Sequence, residues 1–191
     1  MIRPALCAAG LLLAGAAVAT EWAEEPAAVL GVRLGARVDQ LDLPSCPPPA
    51  PGGGASRGLC LQRNGPYADR IMGLQGLPDL GLPYSASIHL HEGAVEAVGI
   101  EARQADWARL KAILVERYGP ATKETVGPVT TGSGAVISSQ TLQWAGSATT
   151  IVAIERAGRA GTSYVKFSDA GISAKKAATQ ANTVRDAAGQ L

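Results

Sequence analysis

The chain has 191 residues, with 17 Lys and Arg against 16 Asp and Glu and a formal net charge of +1. So balanced a sequence, with no long block of Lys or Arg, excludes a nucleic-acid-binding surface on charge. Beyond the N-terminal run, no apolar stretch approaches the roughly 20 residues a membrane helix needs, so no span is expected in the mature form.

Met1-Ile2-Arg3-Pro4 supplies the positive charge of an n-region, and residues 5–19 form an uncharged run built mainly of Ala, Leu, Val and Gly. That run is too short for a bilayer and has the length of a signal-peptide core. It closes on Ala17-Val18-Ala19, small residues that a signal peptidase accepts, ahead of polar Thr20 and Glu21. Residues 1–19 are therefore expected to be a cleaved signal peptide, with cleavage after Ala23 as the second choice. The mature protein is then periplasmic or secreted. Cys7 stands at the start of the apolar run instead of its end, which disfavours lipid anchoring.

Loss of Cys7 with the signal leaves Cys46 and Cys60, which an oxidising compartment pairs. Their spacing is neither CxxC nor that of a zinc knuckle. Between them Pro47-Pro48-Pro49 and Gly52-Gly53-Gly54 rule out helix and strand. Closing a loop near this length contributes about 3 kcal/mol, mainly by restricting the unfolded chain.

Residues 20–30 read as a mobile leader, with Trp22 either an anchor for a partner or disordered beside the cleavage site. Residues 31–168 form one α+β domain, opening on the apolar stretch 29–35 and a brief helix over 36–41. Short strands are expected over 59–63 and 71–74. Strict alternation of Ala86, Ile88 and Leu90 with Ser87, His89 and His91 marks 84–91 as a half-buried strand. Glu92-Gly93 turns it into a return strand over 94–102. There Val95 matches Leu90, but Val98 and Ile100 have the opposite parity, so the strand is either covered on both faces or bulged.

The main amphipathic helix is 107–118, with Trp107, Leu110, Ile113, Leu114 and Tyr118 on one stripe. Asp106 is its expected cap, and Gly119-Pro120 stops it. Strands over 122–129, 136–144, 149–156 and 162–167 follow, and their short Gly-rich connections favour antiparallel meanders. Residues 169–191 are Ala-rich and polar, a loosely docked helix or tail.

This order suggests two helix-plus-sheet units, 31–102 and 104–168, alike in succession of elements and little in residue identity. Residues 110–118 leading into Gly119-Pro120, then Leu142-Gln143-Trp144 and the strand 151–154, carry a resemblance. The second unit resembles the helix-then-meander module of BamE-like outer-membrane-assembly lipoproteins and of the β-lactamase inhibitor proteins. The lipoprotein cysteine is absent, and no site residue is carried over. What the resemblance implies is a surface that binds another exported or envelope protein.

His89 and His91 are the only histidines, and two-residue spacing puts them on one side of their strand. A two-residue turn at Glu92-Gly93 would set Glu96 opposite His89, giving His89, His91 and Glu96 as a candidate zinc site. The favoured reading is a solvated polar face, because HxH falls short of a zinc ligand set. Ser133 lies between glycines but outside a G-x-S-x-G elbow, so it reads as turn chemistry, and the scattered carboxylates form no acid/base pair. Gly52-Gly53-Gly54 lacks the Lys-Ser/Thr that completes a phosphate loop. The sequence therefore leans toward a non-catalytic exported binding domain, with a small metal-dependent protein as the alternative.

Overall fold

The computed structural model describes residues 22, 25–48, 58–63, 67–158 and 161–190. The expected signal peptide, most of residues 20–24 and the centre of the Pro/Gly loop lie outside them. The α+β class holds. Ten strands occur among the described residues: β1 (Ala28–Val29), β2 (Val32–Arg33), β3 (Cys60–Gln62), β4 (Ile71–Gln75), β5 (Tyr84–His91), β6 (Ala94–Arg103), β7 (Lys123–Thr130), β8 (Val136–Ala145), β9 (Thr149–Ile154) and β10 (Thr162–Asp169). Helix α1 (Trp107–Tyr118) lies between β6 and β7, and α2 (Ala170–Ala188) follows β10. The helix expected over 36–41 is a single 3-10 turn, Val38–Gln40.

β1 and β2 form a small hairpin, and the other strands make one eight-stranded antiparallel sheet in the order β3-β4-β5-β6-β10-β9-β8-β7. Two four-stranded meanders therefore meet through their last strands, with Ser163 to Ser168 lying against Ala97 to Ala102. The sheet is unclosed. Its β3 edge is short and is tied to the preceding chain by the Cys46–Cys60 disulfide, whose Cα atoms are 4.9 Å apart. The β7 edge carries Lys123, Glu124 and Pro128, charges and a missing donor that discourage further strand pairing.

One face of the sheet holds the core. Ala86, Ile88 and Leu90 of β5 point into it, as the alternation requires, beside Val95, Val98, Ile100 and Ala102 of β6. Both sequence alternatives for β6 are realised. A bulge shifts the register between His89 and Leu90, so that Leu90 faces Val95 and His89 faces Ala97, and residues 95–100 are all buried. Val165, Phe167, Leu142, Trp144, Ile151 and Ala153 complete the layer.

Helix α1 covers this layer with Trp107, Leu110 and Leu114, while Ile113 and Tyr118 are half-buried at its margin. Asp106 does not cap it. A 3-10 turn over Gln104–Asp106 precedes the helix, and the Asp106 carboxylate accepts from Arg103 Nε at 2.9 Å instead. At the far end Gly119 adopts φ 75°, open to a residue without Cβ, and its carbonyl receives the Trp144 indole N–H at 2.9 Å. The helix is also pinned by polar contacts. Gln140 Oε1 accepts from Trp107 Nε1 at 3.1 Å and from Lys111 Nζ at 3.2 Å, while the Gln140 side-chain amide donates to Glu124.

The leader is held at defined points. Trp22 packs on Tyr118 with ring centroids 6.4 Å apart, and Glu25 reaches the β8–β9 turn. Helix α2 is capped by Asp169, which accepts from the Ile172 amide at 2.8 Å, and it contains no buried residue.

Leu110 is 1 % exposed in this interface. Leu110→Ala is expected to cost about 2–5 kcal/mol by leaving a cavity under α1. Val126→Ala, at a position 65 % exposed on β7, should stay within about 0.5 kcal/mol. Urea titrations of the two variants check the contrast.

Candidate functional site

The second face of the sheet is met by α2 at the β6 bulge, where Lys176 reaches Glu96. From β5 to β8 it presents Ser85, Ser87, His89 and His91, then Gly99 and Glu101, then Tyr164 and Lys166, then Val152 and Ile154, then Thr141 and Gln143. Strand alternation fixes this set, because each is the neighbour of a core residue.

Tyr164 is the centre of the face. Its ring lies across Gly99 of the neighbouring strand, where a Cβ would come within 3.0 Å of the ring carbons. Gly99 is buried beneath it, a glycine retained where another side chain needs the space. The Tyr164 hydroxyl reaches His89 Nε2 at 3.2 Å. Burial, and then the Glu101 carboxylate, push the Tyr164 phenol up, so it stays protonated and can donate.

The sequence placed His89, His91 and Glu96 together as candidate ligands, with Glu96 opposite His89. The bulge corrects that register: Glu96 is the extra residue in β6, and Ala97 takes the position opposite His89. The Glu96 side chain, 7 % exposed, is held by lysines. Lys176 Nζ lies 3.0 and 2.8 Å from its two oxygens, and Lys166 Nζ lies at 3.8 Å. Burial raises its carboxyl, but the Lys176 bond, the charges of Lys166 and Lys176, and His91 outweigh that and leave it below the ordinary range. A carboxylate ion-paired to two ammonium groups is a poor metal ligand. Among the described residues no group of three His, Cys, Asp or Glu side chains is placed to hold a metal ion.

Nor is His89 set up as the base of a hydrolase. Ser87 Oγ is 3.5 Å from Nε2, too long for an activating bond, and the same nitrogen faces Tyr164. Ser133 lies in the exposed β7–β8 turn, where its hydroxyl is 2.9 Å from Thr131 Oγ1. This is the turn chemistry expected of it. Among the described residues no helix is long and apolar enough to cross a membrane.

Sequence reasoning found the histidines and missed Tyr164, Lys166 and Lys176. A glycine at position 99 inside a strand was the available signal for a close neighbour. Lys176 had none, since its Ala-rich helix has no strong apolar stripe to show which side meets the sheet. No family model, curated protein or solved structure matches the chain.

His89 gives this face a pH dependence. Desolvation, first, and the Lys166 and Lys176 charges hold its imidazole below the ordinary value, against the opposing pull of Glu96. The unfolded chain therefore takes up the proton first as pH falls below about 6.5, and stability declines from there toward the folded-state value. Proton NMR of His89 should show a midpoint below that of a free histidine. Lys166→Gln should raise it, and His89→Gln should flatten the fall in stability between pH 7 and 5.

Proposed function

We propose that the protein is exported by its N-terminal signal and acts outside the cytoplasm, in a periplasm or as a secreted protein. There it serves as a non-catalytic domain that binds another protein of the envelope. The open sheet face is the binding surface. The observation that carries this reading is the Tyr164 ring, laid across Gly99 and half-buried near the middle of the eight-stranded sheet. Half-buried Val152 and Ile154 extend the apolar part, and Ser85, Glu101, Arg103, Lys123 and Gln143 lie around it. An apolar and aromatic centre within a polar rim is the anatomy of a docking surface. Strands fix its shape in advance, so little ordering opposes association.

A central tyrosine is the residue type on which such interfaces depend most. Tyr164→Ala is expected to weaken retention of the partner about 30-fold, the equivalent of roughly 2 kcal/mol. Gly99→Val should do likewise by driving the ring off the sheet, at a cost of about 1–3 kcal/mol in stability, with circular dichroism showing that both variants remain folded. The measurement is site-specific photo-crosslinking in an envelope preparation, with the crosslinker at position 152 and, as control, at position 184 on α2. Crosslinks of equal yield at both positions, or a partner indifferent to both substitutions, would sink the reading.

A further inference from the structure

The turn between β8 and β9 grips a carboxylate from the opposite end of the chain. Glu25 Oε1 accepts from the Ser147 amide at 2.6 Å and from Ser147 Oγ at 3.0 Å. Oε2 accepts from the amides of Ala148 at 2.7 Å and Thr149 at 2.8 Å. Thr149 Oγ1 also donates to the Pro26 carbonyl at 3.0 Å. Consecutive amides converging on one anion form a nest, and bonds to an ionised acceptor are the stronger class. Burial raises the Glu25 carboxyl, but the amides of Ser147, Thr149 and Ala148 and the Ser147 hydroxyl prevail and hold it below its ordinary value.

Gly146 leaves the carboxylate its room. Its φ is not in the left-handed region, so the backbone does not demand glycine there, yet a Cβ would strike the Glu25 carboxyl group. The nest is at the surface. Beside it runs a cleft of about 300 Å³ lined by Glu25, Pro26, Ala27, Ala28, Arg117 and Tyr118.

We propose that residues 146–149 are a carboxylate-binding site in their own right, filled at rest by Glu25. An acidic side chain of a partner protein replaces Glu25 there, lifting Glu25 and Pro26 from the turn and opening the cleft. The donors dictate that class of ligand. Amides and a hydroxyl are arranged as two pairs, one for each oxygen of a planar carboxylate, and Arg117 lining the cleft favours an anion over a neutral amide. The site is separate from the open sheet face and does not depend on its role.

The test uses the peptide acetyl-Glu-Pro-Ala-amide and its Gln counterpart, titrated into the mature protein while the amide resonances of Ser147, Ala148 and Thr149 are followed. In Glu25→Ala the Glu peptide should give saturable shifts at these amides, with at least tenfold tighter binding than to wild type, where Glu25 competes. The Gln peptide should give none. Adding Gly146→Ala should abolish binding, because the methyl group occupies the place of the carboxylate. Absence of saturable shifts in Glu25→Ala, or equal binding with Gly146→Ala present, overturns the proposal. If Glu25→Ala does not fold, wild type decides: millimolar Glu peptide must displace Glu25 and shift the same amides, and their invariance overturns it equally.

Discussion

The antiparallel pairing of β6 with β10 makes one protein of two meanders. Each meander alone is a four-stranded sheet with an apolar side, and hairpin connections account for every other neighbour in the sheet order. Among the described residues only this pairing joins strands far apart in sequence, with Val165 against Ile100 and Phe167 against Val98 on the core side. The same register sets Tyr164 beside Glu101 and Lys166 beside Gly99 on the other side. Core and open face are therefore two consequences of one alignment. A shift by a single residue would exchange them, turning Phe167 outward and Lys166 into the core.

That alignment also explains why the local elements were legible and the site was not. The strand Tyr84–His91 and the helix Trp107–Tyr118 carry their own periodicity, so burial of alternate residues or of one stripe announces them without tertiary information. The β6 parity conflict was visible too, because Val95 and Val98 cannot share a face in an unbroken strand. Tyr164, by contrast, meets His89 across two strands and 75 residues. No local pattern encodes such a meeting. Glu96 illustrates the same limit in the opposite direction: turn length alone set it opposite His89, and one extra residue in the strand moved it to the lysines.

Glu96 is costly to bury and is nonetheless 7 % exposed. Removing a carboxylate from water is repaid only with good geometry and further hydrogen bonds, and Lys176 supplies both through contacts to each oxygen. The pair does more than balance a charge. Helix α2 buries no residue, so packing gives it little reason to stay near the sheet. The Asp169 cap fixes where it starts, and the Lys176–Glu96 pair holds its second turn to the bulge in β6. A bulge is the right place for such a partner, since the extra residue is released from the ladder and free to meet a group beyond the strand.

The β8–β9 turn extends this logic to the ends of the domain. Ala148 donates its amide to Glu25 and accepts the Ala170 amide on its carbonyl at 2.8 Å, so one residue touches both the start of the described chain and the first residue of α2. Neighbouring Thr149 is 2 % exposed and is the first residue of β9, which ties the turn rigidly to the sheet. Helix α2 buries no residue, and the leader adds to the core only Val29 and the packing of Trp22 and Leu30 against it. Both are fixed by hydrogen bonds to backbone groups that the sheet has already placed, at little further entropic cost to the turn. Such attachments are strong in geometry and small in buried area, and that combination lets a terminal segment hold its place and still exchange with a competing ligand.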